Sequence, residues 1–431
     1  MINKYTILSL LLIFFIGIDI AVQEDKITGH QIQPIEKKFC GDGICDATEN
    51  YGVCHYDCQT CGNGVCDNGE IYANCRQDCS ANPIIAYQDI YPNIIDLRTA
   101  WCDNDACGEA TFATLGSGIY TGHRLAVTRS IDNLPVIVFT DDPGELKVIK
   151  CGSPDCTTNN VLSRLGYGGG WKIAIDIGSD GLPVIVYSGS PYQLKVAKCL
   201  DQQCTAKKLT TVDETWDVNE DFFGIDLAVG QDGFPIISYQ DHSVPRRIKF
   251  MKCRSLDCKL KNIKVITQQL NLDPSDTAVT IGSDGLPLIV YTSYNNLRVT
   301  KCTTADCSMS FTTPLQSTDR AEYLSIIVGH DDLPLISYYD ENNQDLKVIK
   351  CGSPDCTTGN IITTLASAGD VGSHSSLTLS EDFLPILAYR DETNDDLRVI
   401  KCGNNACNAG NIFINLIDLG TSPYGSMMIA T

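Results

Sequence analysis

Four things are scarce or missing in this 431-residue sequence. Basic residues come first: 32 Lys and Arg stand against 53 Asp and Glu, a net charge of −21. That balance argues against a nucleic-acid partner, because phosphate contacts need clustered cations. It suits divalent cations or basic partners. Long apolar runs are also scarce: residues 5–18 form one, and no later stretch is long enough to span a membrane. Asn-X-Ser/Thr sequons are absent, which favours a prokaryotic secreted protein over a glycosylated eukaryotic one. Finally, no catalytic signature stands out. There is no HExxH and no G-x-S-x-G, and the glycines Gly168, Gly169 and Gly170 lack the lysine of a phosphate-binding loop. The histidines (His30, His55, His123, His242, His330 and His374) are scattered.

Cysteine, by contrast, is abundant, with 22 residues in fixed spacings. In a reducing cytosol so many suggest metal sites; outside it they suggest disulfides. The first residues decide between these. Lys4 precedes the apolar run and Ala21 offers a small-residue cleavage region, so residues 1–22 read as a signal peptide. A run of about 14 apolar residues, closed by Asp19, is short for a spanning helix, and a retained anchor is the alternative. The expected location is secreted or cell surface, with no membrane span beyond this signal.

Residues 23–39 are polar and read as a linker. Residues 40–79 hold two copies of a small cysteine-rich module, CGDGICDATENYGVCHYDC and CGNGVCDNGEIYANCRQDC. Nineteen residues cannot bury a useful core, so each copy needs staples. Four cysteines allow three pairings, and the spacing does not choose among them. Zinc fits poorly, since the lone CxxC, Cys58 to Cys61, only bridges the two copies. Oxygen-bearing residues recur at matched places: Asp42 with Asn63, Asp46 with Asp67, Glu49 with Glu70, and Asp57 with Asp78. Hard oxygen ligands on a glycine-containing loop suit calcium, the one cofactor these modules would take. Turn capping is the other reading. The copies resemble the CGNGxC…GE…CxxDC modules of secreted microbial proteins.

Residues 80–431 are repeats with a period of roughly 50 residues. Prolines open an apolar run at Pro83, Pro135, Pro183, Pro235, Pro287, Pro334 and Pro385. Residues 146–160 and 346–360 differ at one position, which marks internal duplication. Each unit holds four strand-like runs. In one unit they are KIAIDIG at 172–178, PVIVY at 183–187, LKVAKC at 194–199 and KKLTTVD at 207–213. Proline is tolerated at the first residue of a strand, where its missing N–H need not join the ladder. Four antiparallel strands per repeat predict an all-β, seven-bladed β-propeller. The region starts at a second run with no first run before it, and 425–431 reads as a first run with no second after it. The C-terminal strand should therefore close the first blade, which removes open sheet edges. The units resemble the DGLPVISYYD…LKVxKC repeats of secreted bacterial and archaeal proteins, a resemblance that implies no activity.

A C-x4-C pair lies between the third and fourth runs of every unit. The pairs are Cys102 with Cys107, Cys151 with Cys156, Cys199 with Cys204, and Cys253 with Cys258; then Cys302 with Cys307, Cys351 with Cys356, and Cys402 with Cys407. Across a four-residue hairpin loop such neighbours lie within disulfide reach. Two charged positions also recur. A base occupies one place in the third run (Arg98, Lys147, Lys195, Lys249, Arg298, Lys347, Arg398), and a lysine precedes the first cysteine in six units. An aspartate follows the second run at Asp89, Asp141, Asp241, Asp340 and Asp391. Residues present in nearly every unit are expected to serve the unit, as cross-strand ion pairs.

A specific site should break the symmetry. The largest break lies between residues 167 and 247, where the connections 213–224 and 240–247 are distinctive. Both emerge on one face of a ring of meanders. Trp171, Tyr192, Trp216 and His242 are expected to line that mouth with Asp217, Glu220, Asp221, Asp241, Arg246 and Arg247. Aromatic rings beside carboxylates suit a sugar or a peptide. No carboxylate pair is singled out for glycoside hydrolysis. The leading expectation is a binding or adhesion protein for a glycan or an extracellular protein. A polysaccharide hydrolase or lyase and a structural envelope protein are the alternatives.

Overall fold

The computed structural model describes residues 82–91, 94–117, 125–141, 144–167, 172–189, 193–214, 223–241, 246–269, 276–293, 296–317, 320–416 and 422–431. The expected signal, linker and cysteine-rich modules, with their candidate calcium ligands from Asp42 to Asp78, lie outside these residues. Among the described residues the regular elements are all strands, arranged as seven antiparallel four-stranded sheets. Blades are numbered here in the order of their opening prolines.

Blade 4 shows the plan: an inner strand Phe223–Val229, a second strand Pro235–Asp241, a third Arg246–Cys253 and an outer strand Lys261–Gln269. The second strand is buried along its whole length because both its faces meet neighbouring blades. Its apolar run has no polar alternation for that reason. The core consists of layers between blades. One joins Val184, Val186 and Leu194 of blade 3 to Leu227, Ile237 and Met251 of blade 4. Another joins Ile386 and Ala388 of blade 7 to Ile85 and Ala100 of blade 1, so the ring is closed by packing.

The ring is also closed by hydrogen bonding. The strand Ser422–Ala430 pairs antiparallel with Ile84–Tyr91, in a register that sets Ile84 against Ala430 and Tyr87 against Met427. The expected closing strand over 425–431 is therefore present, and it begins earlier, at Ser422.

All seven C-x4-C pairs are disulfides, with Cα–Cα separations between 4.5 Å at Cys102–Cys107 and 4.9 Å at Cys151–Cys156. The second cysteine of each pair has left-handed backbone, with φ from 50° at Cys258 to 60° at Cys107. The hairpin turn explains this. Each such residue donates its N–H to the carbonyl three residues earlier, as Cys356 does to Ser353 at 2.9 Å. The residue that ends this type of turn favours glycine. Here the disulfide holds an L-residue in that conformation. Both sulfurs are buried, so each staple also fills core.

The recurring lysines are structural as well. Lys350 donates to Asp331 at 2.7 Å and to the Leu333 carbonyl at 2.8 Å, tying the third strand to the turn that precedes the second. Lys150, Lys198, Lys252 and Lys301 repeat the bond to Asp132, Asp180, Asp232 and Asp284, and Lys401 repeats it to Asp382. Burial pulls the Lys150 and Lys198 ammonium groups below the ordinary lysine range, and the aspartate partners oppose that pull.

Candidate functional site

Inner strands begin, second strands end and third strands begin at the same end of the ring. That end is the mouth. The inner strands depart from regular pairing there in four blades: blade 1, where the shift falls between Pro423 and Met427, and three others. Register shifts fall between Phe223 and Asp226, between Glu322 and Ser325, and between Ser373 and Ser376. The residues at the irregularity have left-handed φ: 53° at Gly224, 52° at Tyr323 and 54° at His374. Glycine takes this conformation freely, but Tyr and His do so at a cost of about 1–3 kcal/mol. Such bulges re-aim side chains and recur beside functional sites. Here they set the Tyr323 and His374 rings 4.2 Å apart, tilted by 45°. The Tyr339 ring stands 6.2 Å from Tyr323, and its hydroxyl donates to Asp370 at 2.8 Å.

Carboxylates and guanidiniums surround this aromatic group. Arg320 pairs with Glu341 at 2.6 Å and with Glu322 at 3.3 Å. Arg390 pairs with Glu392 and with Asp395, each at 2.9 Å. Ser373 donates to Glu392 at 2.6 Å. Burial raises the Glu322 carboxyl above its ordinary range, and the Glu341 charge adds to this; Arg320 opposes both. The Tyr323 hydroxyl is raised too, first by burial and then by the Glu322 charge.

Deeper in the ring, the inner strands expose one unpaired backbone edge to the channel. Side chains from the preceding blade meet part of it. Asp176 accepts the Val229 N–H at 2.9 Å, Asp226 accepts that of Val279 at 2.7 Å, and Asp276 accepts that of Leu324 at 3.1 Å. Ser325 and Ser376 do the same for Leu377 and Ile429, each at 3.3 Å. The three aspartates stand successively two residues further from the following proline (Pro183, Pro235, Pro287), so from Asp176 to Asp276 they climb like steps toward the mouth. Both Asp176 and Asp226 keep some exposed surface, but their depth in the ring dominates. Burial pushes Asp176 up to about 6 and Asp226 up to about 7, against the bonds from backbone N–H groups. At the mouth, Lys172 of blade 3 pairs with Asp276 of blade 5 at 3.1 Å, bridging over the start of blade 4.

Of the ten mouth residues expected from the sequence, Trp171, Tyr192, Trp216, Asp217, Glu220, Asp221 and His242 lie outside the described residues. Asp241, Arg246 and Arg247 are described. Asp241 is buried and paired with Lys249 at 2.6 Å, an arrangement that blades 1, 2, 6 and 7 share. Arg246 and Arg247 are half-buried at the start of the third strand, with Arg247 opposite Asp241. The aromatic and acidic group of blades 6 and 7 was missed by sequence reasoning. No regular signal marked it: at the repeat position of Tyr323 and His374 the preceding units read Lys172, Gly224 and Asp276, so neither ring breaks a pattern.

No protein-family model and no curated protein matches the chain. Solved structures do resemble it. A protein from Lactobacillus plantarum aligns with a TM-score of 0.52 and 12% identity, over 81% of this chain and 98% of that one. The BP39L lectin from Burkholderia pseudomallei aligns with a TM-score of 0.51 and 12% identity, over 78% of this chain and 99% of the lectin. The Aleuria aurantia lectin aligns with a TM-score of 0.46 and 9% identity, over 70% and 97%. At such identities the first two likenesses show the fold alone.

Proposed function

We propose that this protein is an extracellular glycan-binding propeller whose ligand enters at the mouth. The observation that carries the reading is the Tyr323–His374 pair, held on left-handed backbone beside Glu322 and Glu392. Sugars offer apolar ring faces and outward hydroxyls, and aromatic rings flanked by carboxylates match both. Strain kept at two adjacent blades points to a use for the geometry it creates. The seven disulfides fit an oxidising exterior, and the fold is one that a bacterial lectin also uses. The two N-terminal modules would add calcium-dependent contacts, with extracellular protein as a further partner. A glycan array probed with the full chain tests the reading: saturable binding that Tyr323→Ala abolishes supports it, and an array without specific binding overturns it.

A polysaccharide-cleaving enzyme is the second reading, favoured by the raised Glu322 carboxyl, which could hold a proton for a leaving group. It predicts turnover that Glu322→Gln removes while binding persists.

A further inference from the structure

At the mouth, the blade template sets two acidic positions around one base. In blade 6, Lys347 lies 2.5 Å from Asp340 and 3.8 Å from Asp345. In blade 7, Arg398 lies 2.8 Å from Asp391 and 3.4 Å from Asp396. Blade 2 repeats this with Lys147 between Asp141 and Glu145. In blade 1, Arg98 pairs with Asp89 at 2.9 Å, and Asp96 occupies the second position opposite it.

Blades 3 and 5 keep the base and lose both acids, and blade 4 keeps the base and one acid. The cross-strand pair that reads Asp340 with Asp345 in blade 6 is Gly189 with Gln193 in blade 3. It is Asp241 with Arg247 in blade 4 and Ser293 with Asn296 in blade 5. Lys249 holds both Asp241, at 2.6 Å, and Asp213 from the end of the outer strand of blade 3, at 2.7 Å. Lys195 and Arg298 are half-buried and have no ion-pair partner among the described residues. A Cβ added to Gly189 would stand 2.7 Å from Lys195 Cδ, so the lysine stem lies where an acidic side chain would otherwise start. The three blades are consecutive, and the Lys172–Asp276 bridge shows that blades 3 and 5 come within one side-chain pair of each other at the mouth.

A half-buried cation without a counter-ion is unfavourable unless a ligand supplies the anion. On a chain of net charge −21, any approaching anion also needs a sector whose carboxylates are mostly held by bases, as Asp213 and Asp241 are by Lys249 and Asp276 is by Lys172. We propose that blades 3 to 5 form a cationic sector that binds the carboxylate or sulfate groups of an acidic polysaccharide. This rests on the glycan-binding reading and adds the charge class of the glycan.

The test is binding of the full chain to immobilised polygalacturonate, its carboxyl-reduced neutral form, dextran sulfate and dextran. Wild type should bind at least one acidic polymer at least about tenfold more tightly than its neutral match. Which acidic polymer shows the preference separates carboxylate from sulfate. The Lys195→Gln/Arg298→Gln double variant should lose that preference, with each single variant intermediate. Lys347→Gln, in an acid-rich blade, should keep it. Equal binding of acidic and neutral polymers, no binding to any of the four, or a double variant that keeps the preference would overturn the inference. Specific binding confined to neutral glycans on the array would leave the glycan reading standing without it.

Discussion

Tyr323 and His374 sit at equivalent places in neighbouring blades, and both hold left-handed backbone while their rings meet at 4.2 Å. This is the strongest departure from the repeat among the described residues. Substitution should separate its conformational cost from its function. At a left-handed position glycine is favoured over alanine by about 1 kcal/mol. His374→Gly should therefore unfold at higher denaturant than His374→Ala, by about that amount. Both should lose glycan binding alike, because both lose the ring. Equal stability of the two variants in equilibrium denaturation would remove the strain argument.

The same logic applies to the staples. Cys356 has φ 56° and is fixed by its bond to Cys351. Removing the bond as Cys351→Ala/Cys356→Ala should cost about 2 kcal/mol from the short loop alone. The variant Cys351→Ala/Cys356→Gly should recover about 1 kcal/mol of that, since the turn then has the residue it favours. Calorimetry on the two double variants gives the comparison. A glycine variant no more stable than the alanine one would mean that the turn relaxes once the bond is gone.

Asp226 should make the ring pH-sensitive. Its carboxyl is raised from 3.8 to about 7, chiefly by burial. A raised folded-state value means that the folded protein binds the proton more tightly than the unfolded chain does. This contribution is complete below pH about 4 and is lost as pH rises toward 7. Asp176, raised to about 6, acts in the same direction over a narrower window. Asp226→Asn keeps an oxygen for the Val279 N–H and cannot ionise. The variant should gain stability relative to wild type as pH rises from 4 to 8, measured by thermal unfolding. A constant difference across that range would count against the raised carboxyl.

Loss of closure should be felt everywhere. Deleting residues 425–431 removes most of the inner strand of blade 1, including Met427 and Ile429, which pack with Ile386 and Val399 of blade 7. The deletion also leaves the edge of Ile84–Tyr91 unpaired. Thermal unfolding should move down by well over 5 °C or lose its single transition. An unchanged melting curve would show that the ring does not depend on that strand.

The repeat plan was legible in the sequence because its signals are local. A proline at the head of a buried strand, two cysteines across a short loop and a lysine beside the first of them act within one blade. Closure was legible for a related reason: the phase of the repeat at either end is a property of order along the chain. The site in blades 6 and 7 was not legible. Tyr323 and His374 are ordinary residues at one repeat's separation, and only the bulges in two inner strands turn their rings together. The hydrogen bonds that Asp176, Asp226 and Asp276 accept also cross between blades, at sequence separations of 53, 53 and 48 residues. The missing acids of blades 3 to 5 were written in the sequence, but they form a sector only because the ring sets those strand ends side by side. The sequence by itself determined the blade, through contacts repeated inside each unit. The tertiary structure decided the mouth, because contacts between units depend on register and curvature that no single unit encodes.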